Sequence, residues 1–128
     1  MASLKPVWTE NQNIISTSTL GGTETATGDI DLDASGYDGV VIQVDYTDGS
    51  TPAAGIRVDL FGSADGGTTI DNIAFVTFEV DEGDSQKKSL FVEGRNWIRV
   101  SVTNLDTDSG DDASVTVDFA GRVWTVAA

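Results

Sequence analysis

The sequence predicts an all-β chain, an antiparallel β-sandwich or jelly-roll-like fold of seven to nine strands. Short runs of apolar–polar alternation recur from end to end, bounded by clusters of Gly, Asp, Asn and Ser, with no helical period between them. The apolar fraction is a lean 39%, much of it Val and Ala dispersed among Thr, Ser, Gly and Asp, which suits many half-buried strands better than a helical bundle. Only two prolines occur, and 128 residues are enough to bury roughly two-thirds of the unfolded surface around one core.

Residues 1–28 are polar and rich in Thr and Ser. They read as an extended N-terminal arm carrying Trp8, with one strand near Ile14 and Ile15 and a turn at Leu20-Gly21-Gly22. The sandwich domain is expected over 29–128. Residues 29–33 alternate, Ile30 and Leu32 inward and three Asp outward, before a turn at 34–39 that ends in Asp38-Gly39. Val40, Ile42, Val44 and Tyr46 mark one face of a central strand. A loop at 47–52 leads to a strand at 56–61, where Ile56, Val58 and Leu60 oppose Arg57 and Asp59.

After a glycine-rich turn, residues 73–80 read as a strand apolar on both faces, with Val76, Phe78 and Val80 on one and Ile73 and Phe75 on the other. Its outer face needs an arm, a loop or another subunit to cover it. A turn at 81–84, a strand at 88–92 and a strand at 97–103 follow, the last with Ile98, Val100 and Val102 inward. An acidic loop at 104–112 precedes two final strands, 114–119 and 122–126, parted at Gly121. A Val-Asp pair recurs four times at uneven intervals, which is strand grammar and not the fixed period of a solenoid or propeller.

With 21 acidic against seven basic residues the net charge is −14. Such a surface repels nucleic acid and anionic membranes, whose binding rests on Lys and Arg. No Cys and no His are present, so disulfides, thiolate metal sites and Ser-His-Asp chemistry are excluded. Glu79 and Glu93 are the remaining conceivable acid–base pair, and nothing in their context marks them as poised, so no enzyme is expected. The first residues do not read as a signal peptide, and the chain is expected to be made in the cytoplasm.

Three groups of residues are candidates for specific roles. Ser63, Asp65, Gly67 and Thr69 are spaced to pin a tight hairpin, with the Asp side chain accepting from backbone amides. Their pattern resembles the Asp-box of sialidases, with Ile70 where that box has an aromatic; there the box is a structural hairpin remote from catalysis. Asp106, Asp108 and Asp111 could offer carboxylates to calcium from one loop, although the closing glutamate of an EF-hand is missing and a solvated acidic hairpin fits as well. Trp8, Trp97 and Trp124, with Ile73 and Phe75, are the candidate partner-binding residues. The tryptophans could alternatively plug the core or stack on a sugar.

The stretches GYDGVVIQVDYTDG, FGSADGGTT, RNWIRVSVTN and ASVTVDFAGRVWTV together resemble the small structural proteins of tailed-bacteriophage virions. That resemblance implies a β-sandwich accessory subunit of the head, neck or tail, such as a capsid decoration protein. It implies a homo-oligomer that binds other virion proteins through loops and arms, located in the virion, with no catalytic residues. The other reading is a carbohydrate- or calcium-binding adhesion module.

Overall fold

A computed structural model describes residues 3–47, 54–81, 86–108 and 110–126. The expected loop at 47–52 and turn at 81–84, like Ser109 of the acidic loop, lie wholly or mostly outside the described residues. Nine strands and one helical turn are described: β1 (Leu4–Trp8), β2 (Gln12–Leu20), β3 (Thr25–Asp31), α1 (Leu32–Ser35), β4 (Gly39–Thr47), β5 (Ile56–Gly62), β6 (Val76–Val80), β7 (Gln86–Glu93), β8 (Trp97–Asn104) and β9 (Ala113–Val126). They form the predicted antiparallel sandwich. One sheet has the order β1-β9-β4-β7, with β2 also paired to β9, and the other runs β3-β8-β5-β6.

Alternation builds the core. Val40, Ile42, Val44 and Tyr46 of β4 are fully buried, and they face Ile56, Val58 and Leu60 of β5 and Ile98, Val100 and Val102 of β8 across the sandwich. Val115, Val117 and Phe119 of β9 complete the layer. Among the described residues no buried side-chain nitrogen or oxygen lacks a hydrogen-bond partner.

The structure corrects four expectations. First, residues 1–28 are not an arm apart from the sandwich: β1 and β2 lie end to end along one edge of β9, and most of β3 pairs with β8. The proposed boundary at 28 therefore falls inside β3. Gly28 sits there because its backbone approaches Ile14, where a Cβ would come within 2.6 Å of the Ile14 carbonyl oxygen.

Second, the alternating run at 29–33 ends as a strand at Asp31, whose Oδ1 accepts from the Ala34 N–H at 3.0 Å and caps α1. Third, the two C-terminal strands are one. Gly121 does not break β9; it makes room for the Tyr37 ring, which a Cβ at that position would meet at 2.5 Å. Fourth, the strand expected at 73–80 starts only at Val76, so Ile73 and Phe75 lie in the connection that precedes β6.

Candidate assembly surface

The sequence of β9 alternates Arg122, Trp124 and Val126 to one side, opposite to the inward Phe119 and Gly121. β1 pairs with this end of β9 in the register Leu4↔Val126, Pro6↔Trp124 and Trp8↔Arg122, so these six residues share the outer face of the sheet. β4 reaches only to Arg122, through Gly39, and Gly39 is in turn opposite Glu93 of β7. One row across the sheet thus reads Glu93, Gly39, Arg122, Trp8. The missing side chain at Gly39 lets the Phe91 ring lean over it, where a Cβ would meet the ring at 2.8 Å.

Arg122 organises the cluster. Its guanidinium makes a bidentate pair with Asp38, Nε to Oδ1 at 2.9 Å and Nη2 to Oδ2 at 3.0 Å, and Nη2 also donates to Glu93 Oε2 at 3.1 Å. The same group lies 4.8 Å from the ring centre of Phe91, 5.7 Å from that of Trp124 and 5.9 Å from that of Trp8. Trp124 Nε1 donates to Asp38 Oδ2 at 2.6 Å, while Trp8 and Phe91 meet edge to face at 6.0 Å. Leu4, Trp8, Phe91, Trp124 and Val126 are each 44–65% exposed, which is a costly display of large apolar side chains for an isolated domain.

Hydrogen bonds from Arg122 and then from the Trp124 indole hold the Asp38 carboxyl below the usual carboxylate range. A folded value below the unfolded one means that this pairing stabilises the fold fully above the ordinary value of 3.8, and that its contribution is lost as the pH falls through the lowered value. In Asp38→Asn the stability lost between about pH 4 and pH 2 is expected to shrink relative to wild type, read by urea denaturation at each pH. Identical pH profiles for the two proteins would show that the Asp38–Arg122 pair contributes nothing to acid sensitivity.

The other candidate residues are placed as follows. Trp8 and Trp124, 116 positions apart, come together on this face. Ile73 is 79% exposed in the connection before β6, and Phe75 is half-buried beneath the Arg95 guanidinium at 3.8 Å. On β6 itself Val80 is buried, and Phe78 is covered by the Lys88 ammonium at 4.7 Å. Trp97 is only 6% exposed, so it is not available to a partner. It faces outward from the second sheet, but the hairpin after β5 folds back over it.

That hairpin is pinned as the spacing required. Thr69 N–H donates to Asp65 Oδ1 at 2.7 Å, Gly67 N–H to Ser63 Oγ at 2.9 Å, and Ser63 Oγ lies 2.9 Å from Asp65 Oδ1 and 2.8 Å from the Thr69 carbonyl. The Thr69 backbone bond, followed by the Ser63 hydroxyl, lowers the Asp65 pKa. The acidic loop uses its carboxylates in the same way. Asp106 Oδ1 accepts from Asp108 N–H and Asp108 Oδ1 from Gly110 N–H, and among the described residues no three acidic side chains are grouped to hold a metal ion.

Residue-by-residue reading missed Leu4, Asp38, Phe91, Arg122 and Val126 as parts of the cluster. The parity of Arg122, Trp124 and Val126 was a usable signal. The pairing with β1 and the lean of Phe91 over Gly39 were not, because they depend on contacts between distant segments.

No protein-family model matches the chain, and no curated protein matches its sequence. In structure it is similar to a chain of the Cowpea Mosaic Virus empty virus-like particle, at 9% identity and a TM-score of 0.56, covering 93% of this chain and 84% of that one. The PRD1 vertex protein is similar at 11% identity and a TM-score of 0.50, covering 88% and 73%. A xylan-binding domain from Paenibacillus barcinonensis Xyn10C has 11% identity and a TM-score of 0.47, covering 92% and 91%, a likeness too loose to weigh. At these identities the likeness establishes the fold, a jelly-roll-like sandwich that viral capsid proteins also adopt.

Proposed function

We propose that this chain is a non-enzymatic structural subunit of a phage virion, a capsid decoration protein or an accessory of the head, neck or tail, that binds neighbouring virion proteins. One observation carries the reading: five large apolar side chains, three of them aromatic, stand exposed on one face, four on β1 and the end of β9 and Phe91 on β7. Exposed Trp and Phe beside a partly buried Arg are the residue types that anchor protein interfaces. The rest of the surface suits a protein at high local concentration, since a net charge of −14 opposes unspecific association.

The test is co-sedimentation of the purified chain with purified tailed-phage heads and tails. Saturable binding that is lost in Trp8→Ser/Trp124→Ser, with the fold retained by circular dichroism, is the expected result. Capture of glycans by those tryptophans, without association with any particle, would overturn the virion reading in favour of a carbohydrate-binding module.

A further inference from the structure

The exposed face of the β1–β9 ribbon needs an occupant, and three features of it narrow the choice. The first is charge. A second copy of a chain with a net charge of −14 is repelled by most of this surface. At the ribbon, however, the charged groups form a closed set: Arg122 is bonded to both Asp38 and Glu93, and the side chains around it are Leu4, Pro6, Trp8, Phe91, Trp124 and Val126. Arg122 against Asp38 and Glu93 leaves one negative charge per copy on an otherwise apolar face, so two acidic chains can meet here with little repulsion.

The second feature is area. With the three aromatic side chains worth roughly 150–250 Å² each and about half exposed, and Leu4 and Val126 about two-thirds exposed, the patch offers on the order of 500 Å². Backbone and rim added, two such faces together approach the roughly 1,200 Å² at which specific interfaces begin. The third is shape. Trp8 stands at 76° to Phe91, so the rings do not form a flat stacking platform for a sugar, whereas interlocking side chains can fill an uneven surface. Edge addition along β1 is hindered by Pro6, which has no N–H to offer a new strand, so the approach is face to face.

We infer that the occupant is the same face of a second copy, and that the chain forms an isologous dimer, ribbon against ribbon. This deepens the assembly reading above and rests on it for its biological setting only. The dimer places Trp124, in the middle of the three paired rows, at the centre of the seam and leaves the second sheet of each sandwich open to other partners, so a tryptophan variant that loses the dimer also loses bivalent attachment.

Sedimentation velocity of the full chain tests the inference. The expected species has twice the 13.4 kDa of one chain, and its dissociation constant falls as salt is raised, because screening removes the repulsion between acidic bodies. Trp124→Ser is expected to weaken the dimer by roughly thirty-fold or more. Leu4→Ser/Val126→Ser should weaken it too, both with unchanged circular dichroism, while Ile73→Ser, on a different exposed segment, leaves it intact. A monomer at about 0.1 mM, a ring of another symmetry, or a dimer indifferent to Trp124 would overturn the inference. A monomer that binds particles through Trp124 would sink the second copy and leave the virion reading standing; a Trp124-dependent dimer that binds no particle would do the reverse.

Discussion

Asn104→Ala is expected to destabilise the fold by about 3 kcal/mol, seen as a drop of roughly 10 °C in melting temperature. Asn104 ends β8 and is 1% exposed. Its Nδ2 donates to the Leu20 carbonyl and to the Asp111 carbonyl, both at 2.9 Å, and its Oδ1 accepts from Asp106 N–H at 3.0 Å. The main chain adds two bonds on the β3 side of the turn that joins β2 to β3, since Thr23 N–H donates to the Asn104 carbonyl and Asn104 N–H to that of Glu24. One amide therefore ties the corner between the sheets to the acidic loop. Alanine removes the partner but leaves two carbonyls and one N–H in place, and each buried orphan costs about 1–3 kcal/mol. Urea denaturation measures the loss. A change under about 1 kcal/mol would mean that water reaches the site and substitutes for the amide.

The acidic loop also shows how far a sequence can be read. Its carboxylates suggested calcium because their spacing is visible in the chain, while Asn104 looked like the loop's first residue. The bonds that hold the loop are non-local: Leu20 lies 84 positions away, and the Asn104 amide ties its carbonyl to that of Asp111. The same limit applies to β1. LKPVW has a proline and no clean alternation, so nothing local makes it a strand; it becomes one because the last residues of β9 offer it an edge. By contrast, β4, β5 and β8 bury what their alternation says they bury, because a two-residue period and a shared core leave a strand only one inward face. Glycines misled in proportion to their non-local contacts. Gly121 and Gly28 read as ends of segments, yet both sit within strands and mark places where a ring or a backbone comes close.

Trp97→Ala is expected to cost about 3–5 kcal/mol of stability, the range for truncating a buried large aromatic, and to leave association through the β1–β9 face unchanged wherever the variant is folded. Out of phase with Ile98 and Val100, Trp97 looks like a residue meant for a partner. Its partner is internal. The indole lies under Gly67, whose φ of +94° is left-handed and whose absent Cβ would stand 2.6 Å from the Trp97 ring. The Arg99 guanidinium lies 5.6 Å from the ring centre and pairs with Asp29, which encloses the indole on the sheet. Gly67→Ala should therefore destabilise for two separable reasons, the backbone conformation and the clash, together about 1–3 kcal/mol. The double variant separates them. Once the ring is gone the added methyl meets no indole, so Trp97→Ala/Gly67→Ala should cost less than the two single losses combined, and the remainder measures the backbone strain alone. Strict additivity would show that the hairpin and the ring do not bear on each other. A Trp97→Ala protein of wild-type stability that no longer associates would return Trp97 to the interface and move the assembly surface to the second sheet.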